Sequence, residues 1–173
     1  MIELLDLYDR ENSPRAGAAL FLYELMAERL EDPHVNISHT EMPVWDEHIA
    51  FLASVPYRAW MLIAAHLPAS QYAKPVWVGY VSATRVNEIG IVIQRKWRGQ
   101  GYGSAAVRKF IQTFQPLPAV RSYRTGAWVA NINPANEPSQ KMFQKLGFQC
   151  IQTTYQLPEE GTHGNAQEIA RTA

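Results

Sequence analysis

The chain of 173 residues is 47% hydrophobic and 18% charged, which is typical of one globular domain and excludes disordered, collagen-like and low-complexity chains. Its 16 basic and 16 acidic side chains give a formal net charge of zero, so strongly electrostatic binding of DNA lacks support. The apolar runs are too short to span a bilayer and residues 1–3 do not open a signal peptide, so a cytoplasmic protein without membrane contact is expected.

Hydrophobic periodicity predicts, in chain order, a strand, two helices, three strands, a helix, a strand, a helix and a last strand. The strands are expected over residues 1–8, 58–66, 76–84, 88–94, 126–132 and 149–157. The helices are expected over residues 14–31, 44–53, 106–114 and 136–146. This order predicts a mixed α/β (α+β) fold around one central sheet, with a single domain over residues 1–158 and a loose tail over 159–173.

The charges are unevenly distributed, since residues 1–50 carry a net charge of −8 and residues 51–173 carry +8. One interpretation is an acidic side suited to a cationic ligand and a basic side suited to an anionic one. The alternative is a set of solvated helix faces whose signs fall this way by chance.

Two features near the end of the chain bear on structure. Gly147 and Phe148 predict a left-handed cap on the last helix, with the Phe148 ring packed back onto it. Cys150 is the single cysteine, which excludes an internal disulfide and a multi-cysteine zinc site, and its apolar neighbours predict a buried strand residue.

No set of His, Asp and Glu has metal-ligand spacing, so no metal is expected.

The most informative segment is a strand that runs into a glycine-rich turn and then into a helix, over residues 89–104. Gly99, Gly101 and Gly103 let a ligand approach the backbone, and free N–H groups at a helix start bind anions. No lysine follows Gly103, and the glycine spacing differs from the dinucleotide fingerprint, so neither of those phosphate sites fits. The turn therefore predicts another phosphate-rich ligand, with a ligand-free surface turn as the alternative.

Two motifs carry a family resemblance. The first is Arg98-Gly99-Gln100-Gly101-Tyr102-Gly103, and the second is Asn136-Glu137-Pro138-Ser139 with Lys145-Leu146-Gly147-Phe148 behind it. With them, the chain resembles the GNAT superfamily of acyl-CoA-dependent N-acetyltransferases over residues 56–157, and over the first 55 residues by element order. The resemblance implies a central sheet of about six to seven strands, splayed between strands four and five, and acetyl-CoA as co-substrate.

The resemblance also implies a position for each part of acetyl-CoA. Backbone groups of Val92 and Ile93 pair with the pantetheine arm at the splay. Asn136 contacts the pantetheine or simply caps its helix, and Ser139 and Phe143 line the thioester end. The pyrophosphate is held by the backbone amides of Arg98, Gly99, Gln100, Gly101, Tyr102, Gly103 and Ser104.

Acetyl transfer to an amine needs a proton acceptor, because most alkyl amines are protonated at neutral pH. Glu88, at the start of strand four, is the predicted general base through water, with an exposed strand-end carboxylate as the alternative. His66 is the runner-up, and His39 and His48 are weaker candidates. A backbone N–H near Ile93 is the predicted oxyanion donor.

The acid that protonates the leaving thiolate stays open. Many relatives have a tyrosine at the position of Phe143, which cannot donate a proton. Water, Tyr102 and Tyr155 are the alternatives.

Aromatic residues suggest where the acceptor amine binds. Trp45 and Tyr57 are predicted to wall this pocket, with Glu88 as a further binding group, whereas Trp60, Trp77 and Trp128 are expected to pack in the core. The predicted function is acetyl transfer to a primary amine on a small molecule. A non-catalytic acyl-CoA-binding regulatory module is the alternative, an acceptor on nucleic acid is disfavoured by the zero net charge, and a homodimer is left open.

Overall fold

The structure, a computed structural model, describes residues 1–8, 13–32, 41–67, 75–121 and 123–155. Its strands are β1 (Ile2–Asp6), β2 (Ala59–Ala65), β3 (Val76–Ala83) and β4 (Ile89–Ile93). Its α-helices are α1 (Ala18–Leu30), α2 (Trp45–Ala53), α3 (Tyr102–Thr113) and α4 (Glu137–Lys145), and a 3-10 turn covers Arg95–Trp97. The predicted mixed α/β class is confirmed, and the predicted tail lies outside the described residues.

The four strands form one antiparallel sheet in the order β1-β2-β3-β4. On one face, Leu62 of β2 and Val92 of β4 pack against the buried leucines of α1 and α2. On the other face, Val81 of β3 packs against Phe110 of α3. Each such buried side chain stabilises the fold by about 1.5–3 kcal/mol, so the two helix layers fix the sheet between them.

Six to seven strands were predicted for the sheet, and four are present in the described residues. Val129 forms a single parallel bridge beside β4, in which its N–H donates to Asn87 at 3.0 Å and its carbonyl accepts from Ile89 at 2.8 Å. Residues 149–155 contain no strand. In the same segment, the Trp128 ring packs 5.7 Å from the ring of Phe110. The splay between strands four and five therefore stays a prediction.

The helix boundaries show which local signals decided them. The first helix begins at Ala18 and not near Pro14, because Pro14 forms a bridge with Tyr8 and Gly17 turns the chain in a left-handed conformation with φ 79°. The predicted cap of α4 is confirmed: Gly147 has φ 92°, and Phe148 donates to the Phe143 carbonyl at 3.1 Å. The rings of Phe143 and Phe148 then meet edge to face at 5.0 Å.

Cys150 is exposed, so the prediction of a buried strand residue was wrong. The reason is that no strand forms around it in the described part of the chain. No helix in the described ranges combines the length and the apolar character that a bilayer crossing requires.

Gly79 on β3 allows β4 to approach closely. A Cβ at this position would lie 2.0 Å from the Val92 carbonyl oxygen and 3.0 Å from Ile93 Cα. We expect Gly79→Ala to destabilise the fold by about 1–3 kcal/mol, because backbone atoms cannot rotate away from the new methyl group. Thermal unfolding should show a Tm lowered by roughly 2–10 °C.

The matched control is Gly90→Ala on the neighbouring strand, where the added Cβ would meet only the Ser82 hydroxyl, at 2.9 Å. Because the Ser82 side chain can rotate away, Gly90→Ala should lose less stability than Gly79→Ala. Equal Tm values for Gly79→Ala and the parent would contradict the close approach of the two strands.

Candidate active site

The glycine-rich turn between β4 and α3 exposes backbone donors. Gly99 and Gly101 have φ values of 74° and 81°, and in the described structure a Cβ on either would meet no atom within 4 Å. Gly101 begins α3 without a side-chain cap, and the first turn of α3 contains no acidic residue. The first amides of a helix have no intrahelical partner, so those of residues 102–104 are available to an anion.

Three elements meet at the start of α3. A Cβ on Gly103 would lie 3.2 Å from Met142 Sδ on α4 and 3.5 Å from Ile93 Cγ1 on β4. The absence of a side chain at Gly103 therefore allows close packing of β4, α3 and α4. The segments that contain the predicted acetyl-CoA contacts are brought together at this point.

The end of α1 and the two residues that follow it hold Arg95 and Arg98. Arg98 lies 3.3 Å from the carboxylate of Asp32 and donates to the Ile93 carbonyl at 3.1 Å. Arg95 lies 3.0 Å from Glu31, and its backbone N–H donates to Glu28 at 2.8 Å. The acidic and basic parts of the sequence therefore meet here, and the Arg98 side chain fixes the turn to α1.

On α4, the predicted contacts also have structural roles. The Asn136 side-chain oxygen accepts from the Ser139 N–H at 3.1 Å, so Asn136 is the N-cap of this helix. Ser139 is half-buried, and Phe143 is 3% exposed beneath the Phe148 ring. The side-chain nitrogen of Asn136 takes no part in the cap.

A group of side chains on the α1/α2 face of the sheet forms a second polar and aromatic site, here called the acceptor cluster. The Tyr57 and Trp60 rings meet at 4.7 Å, and the Trp60 and Tyr80 rings at 5.6 Å. Arg29 of α1 lies 3.4 Å from the Tyr80 hydroxyl. The cluster comprises Arg29, Phe51, Tyr57, Trp60, Tyr80 and Glu88.

Glu88 joins this cluster through the alternation of β4. Tyr80 is paired with Val92, and residues 88, 90 and 92 share one face of the strand. Burial raises the pKa of Tyr57, the neighbouring Tyr80 and the carboxylate of Glu88 raise it further, and Arg29 opposes them. Both phenols are therefore neutral near pH 7, since burial also raises the pKa of Tyr80.

The comparisons with known proteins agree with this geometry. The family model of the acetyltransferase (GNAT) domain matches residues 23–149. The chain belongs to the GNAT acetyltransferase family. It is thus an enzyme of the acetyltransferase type. The comparison with curated proteins found no match.

Solved structures share the GNAT fold. A domain from Methanocaldococcus jannaschii DSM 2661 has a TM-score of 0.65 at 20% identity, over 89% of this chain and 92% of that chain. A Salmonella typhimurium protein with its cofactor acetyl-CoA has a TM-score of 0.57 at 14% identity, over 86% and 78%. A Vibrio cholerae spermidine N-acetyltransferase has a TM-score of 0.51 at 14% identity, over 84% and 78%. At these identities the likeness shows the fold alone.

The remaining predicted residues of the GNAT domain lie apart from one another. His66 Nε2 lies 3.0 Å from Glu3 at the far end of β2, about 20 Å of strand from the end that is level with Glu88. Trp45 packs on Tyr23 at 5.3 Å and on His48 at 5.7 Å. Trp45 and Tyr57 therefore belong to two different aromatic groups.

The other candidate residues from the sequence lie outside the acceptor cluster or outside the described residues. His48 is buried and its Nε2 lies 2.9 Å from the Ala19 carbonyl, whereas His39 lies outside the described residues. Tyr102 packs on Trp97 at 6.3 Å, and Tyr155 is 90% exposed. Within the described ranges, no group of three or more His, Cys, Asp or Glu side chains is arranged to hold a metal ion.

Sequence reasoning missed Arg29 and Tyr80, and it favoured core packing for Trp60 over a place in the acceptor pocket. Trp60 is buried as expected, but it also lines the acceptor cluster. The register could have indicated Tyr80, because a residue opposite Val92 faces the same side of the sheet. Arg29 offered no local signal, since its contact with Tyr80 spans 51 residues of sequence.

Proposed function

We propose that this GNAT enzyme moves the acetyl group of acetyl-CoA to the primary amine of a small molecule by direct attack of the amine on the thioester. One observation carries the proposal. The open amides of α3 follow β4 in the chain, whereas Glu88 directly precedes β4 and Tyr80 of the acceptor cluster is paired with Val92 of that strand. A phosphate-binding turn and a carboxylate beside aromatic rings are what the two substrates of such a reaction need.

The turn fits acetyl-CoA by the chemistry of its donors. The amides of residues 98–104 would hold the pyrophosphate. Backbone groups of Val92 and Ile93 and the side chain of Asn136 would contact the pantetheine, and Ser139 and Phe143 would line its thioester end. The open space at Gly99 and Gly101 and the lack of acids in the first turn of α3 support this assignment. Acetyl-CoA supplies an acetyl group that is activated as a thioester.

The side chain of Glu88 has the task of taking a proton from the amine, directly or through water. Its backbone is held, since its N–H donates to Thr84 Oγ1 at 3.1 Å and its carbonyl accepts from the Thr84 N–H at 2.9 Å. A held backbone limits the positions that the carboxylate can adopt. Phe143 has no proton to give, so the thiolate takes its proton from water or from Tyr102.

A non-catalytic acyl-CoA-binding module is the second candidate. It is favoured by Phe143, which stands where the family resemblance implies a catalytic tyrosine and which packs beneath Phe148. Such a module would bind acetyl-CoA at the same turn without consuming it. The two candidates therefore differ in turnover and not in binding.

The experiment is the release of coenzyme A, followed with a thiol-reactive dye, over a panel of polyamines, aminosugars, amino acids, peptides and aminated DNA. Because Cys150 is exposed and would react with the dye, the assay uses the Cys150→Ser variant. Turnover with an amine supports the transferase. Binding of acetyl-CoA by calorimetry without turnover on any amine supports the module.

A further inference from the structure

Among the residues that the structure describes, two buried N–H groups of the acceptor cluster have no hydrogen-bond partner. They are Trp60 Nε1 and Arg29 Nε. Trp60 is only 5% exposed. An unsatisfied buried donor costs about 1–3 kcal/mol, and such groups are rare in folded proteins. Two of them in one cluster indicate an acceptor group that comes from outside the chain.

The two donors lie beside the same residue. Arg29 reaches the Tyr80 hydroxyl at 3.4 Å, and the Trp60 ring packs on the Tyr80 ring at 5.6 Å. Tyr80 in turn is paired with Val92 of β4, the strand proposed to hold the pantetheine. A ligand that satisfies both donors therefore lies beside Tyr80, on the α1/α2 face of the sheet and next to β4.

The charges of the cluster are of both signs. In the part of the chain that the structure describes, Arg29 has no carboxylate within ion-pair distance. Glu88 carries the opposite charge. Burial and the neighbouring Tyr80 raise the pKa of Tyr57, Arg29 lowers it, and Glu88 raises it. Both charges are therefore close enough to Tyr57 to shift its pKa.

We infer that the acceptor amine also carries a carboxylate, so that the substrate is a zwitterion of the amino-acid type; this rests on the proposed acetyl transfer. Arg29 Nε and Trp60 Nε1 donate to the carboxylate, and Glu88 faces the amine. In the reaction the amine nitrogen bonds to the acetyl carbon, the carbon–sulfur bond breaks, the amine proton passes to Glu88 or water, and the thiolate takes a proton. The carboxylate is unchanged throughout.

A polyamine fits this cluster less well. It would leave both buried donors without an acceptor and would place a second cation near Arg29. A substrate carboxylate would accept hydrogen bonds from both donors at once, and hydrogen bonds to charged groups are stronger than those to neutral groups.

The test compares each of a set of amino acids, γ-aminobutyrate included, with its decarboxylated amine and with spermidine. Coenzyme A release from the Cys150→Ser enzyme gives kcat/KM for each member of a pair. We expect the carboxylate-bearing member of the best pair to be preferred about tenfold or more. In Trp60→Phe and Arg29→Gln this preference should fall by about tenfold, because each variant removes a donor to a charged group.

Trp77→Phe is the matched control, since Trp77 packs on Phe21 and belongs to no proposed site. Its preference for the carboxylate should equal that of the parent. An unchanged Kd for acetyl-CoA, measured by calorimetry, shows that each variant is folded.

The outcomes separate the two proposals. Turnover of decarboxylated amines or spermidine as good as that of amino acids would overturn the zwitterion and leave the transferase standing. Acetyl-CoA binding with no turnover on any amine would overturn the transferase and this inference with it. An unchanged preference in both Trp60→Phe and Arg29→Gln would show that these donors do not hold the carboxylate.

Discussion

Glu88→Gln is expected to lower kcat by roughly 10²–10⁴-fold and to leave the Kd for acetyl-CoA unchanged. The substitution keeps the shape of the side chain and removes the proton acceptor, while the turn that would hold the cofactor is untouched. Release of coenzyme A at saturating amine measures kcat, and calorimetry measures the Kd. The acidic limb of the pH–rate profile should be lost in the variant, because that limb reports the base.

Glu24→Gln is the matched control, since Glu24 is an exposed carboxylate on α1. His66→Gln tests the runner-up base in the same assay. A fall in kcat of less than about threefold for Glu88→Gln, with an unchanged pH profile, would remove Glu88 as the base. A rise in the amine KM alone would make Glu88 a binding carboxylate for the substrate cation.

Gly101→Val is expected to abolish measurable binding of acetyl-CoA. Gly101 has φ 81°, a conformation that a β-branched residue avoids, and the added side chain would fill the open space before the α3 amides. Calorimetry with the parent should show an affinity that weakens as salt rises, because phosphates bind to helix N–H groups. The variant should show no binding heat at the same concentrations.

Gly17→Val is the control for backbone strain. Gly17 begins α1 in the same left-handed conformation, with φ 79°, and lies on a different helix. It should lose stability and keep acetyl-CoA binding. If Gly101→Val binds as tightly as the parent, the turn is not the acetyl-CoA site.

The elements with strong local signals were predictable from sequence. Pro116 and Gly147 mark the ends of the third and fourth helices, and the β2–β3–β4 meander follows from β-rich runs separated by turn residues. Local signals failed where a distant partner decides the outcome. The segment 126–132 has the apolar pattern of a strand, but in the described structure its sheet pairing is limited to the bridge between Val129 and Glu88, and the Trp128 ring packs against Phe110.

The candidate site divides in the same way. The glycine turn was visible because its conformation depends on its own residues. The pairing of Arg98 with Asp32 spans 66 residues, and no local pattern could indicate it. Likewise, the acceptor cluster gathers side chains from α1, α2 and three places on the sheet, so its unsatisfied donors are seen only in three dimensions.

The order of the sheet has a consequence for how the chain folds. Strands β2, β3 and β4 are neighbours in sequence, whereas β1 pairs with β2 across the whole of α1 and α2. Closing that long loop costs more entropy than closing the short hairpins, so we expect the meander to form first and β1 to dock late. In native-state hydrogen exchange the amides of β1 should open at lower free energy than those of β3, which is paired on both sides.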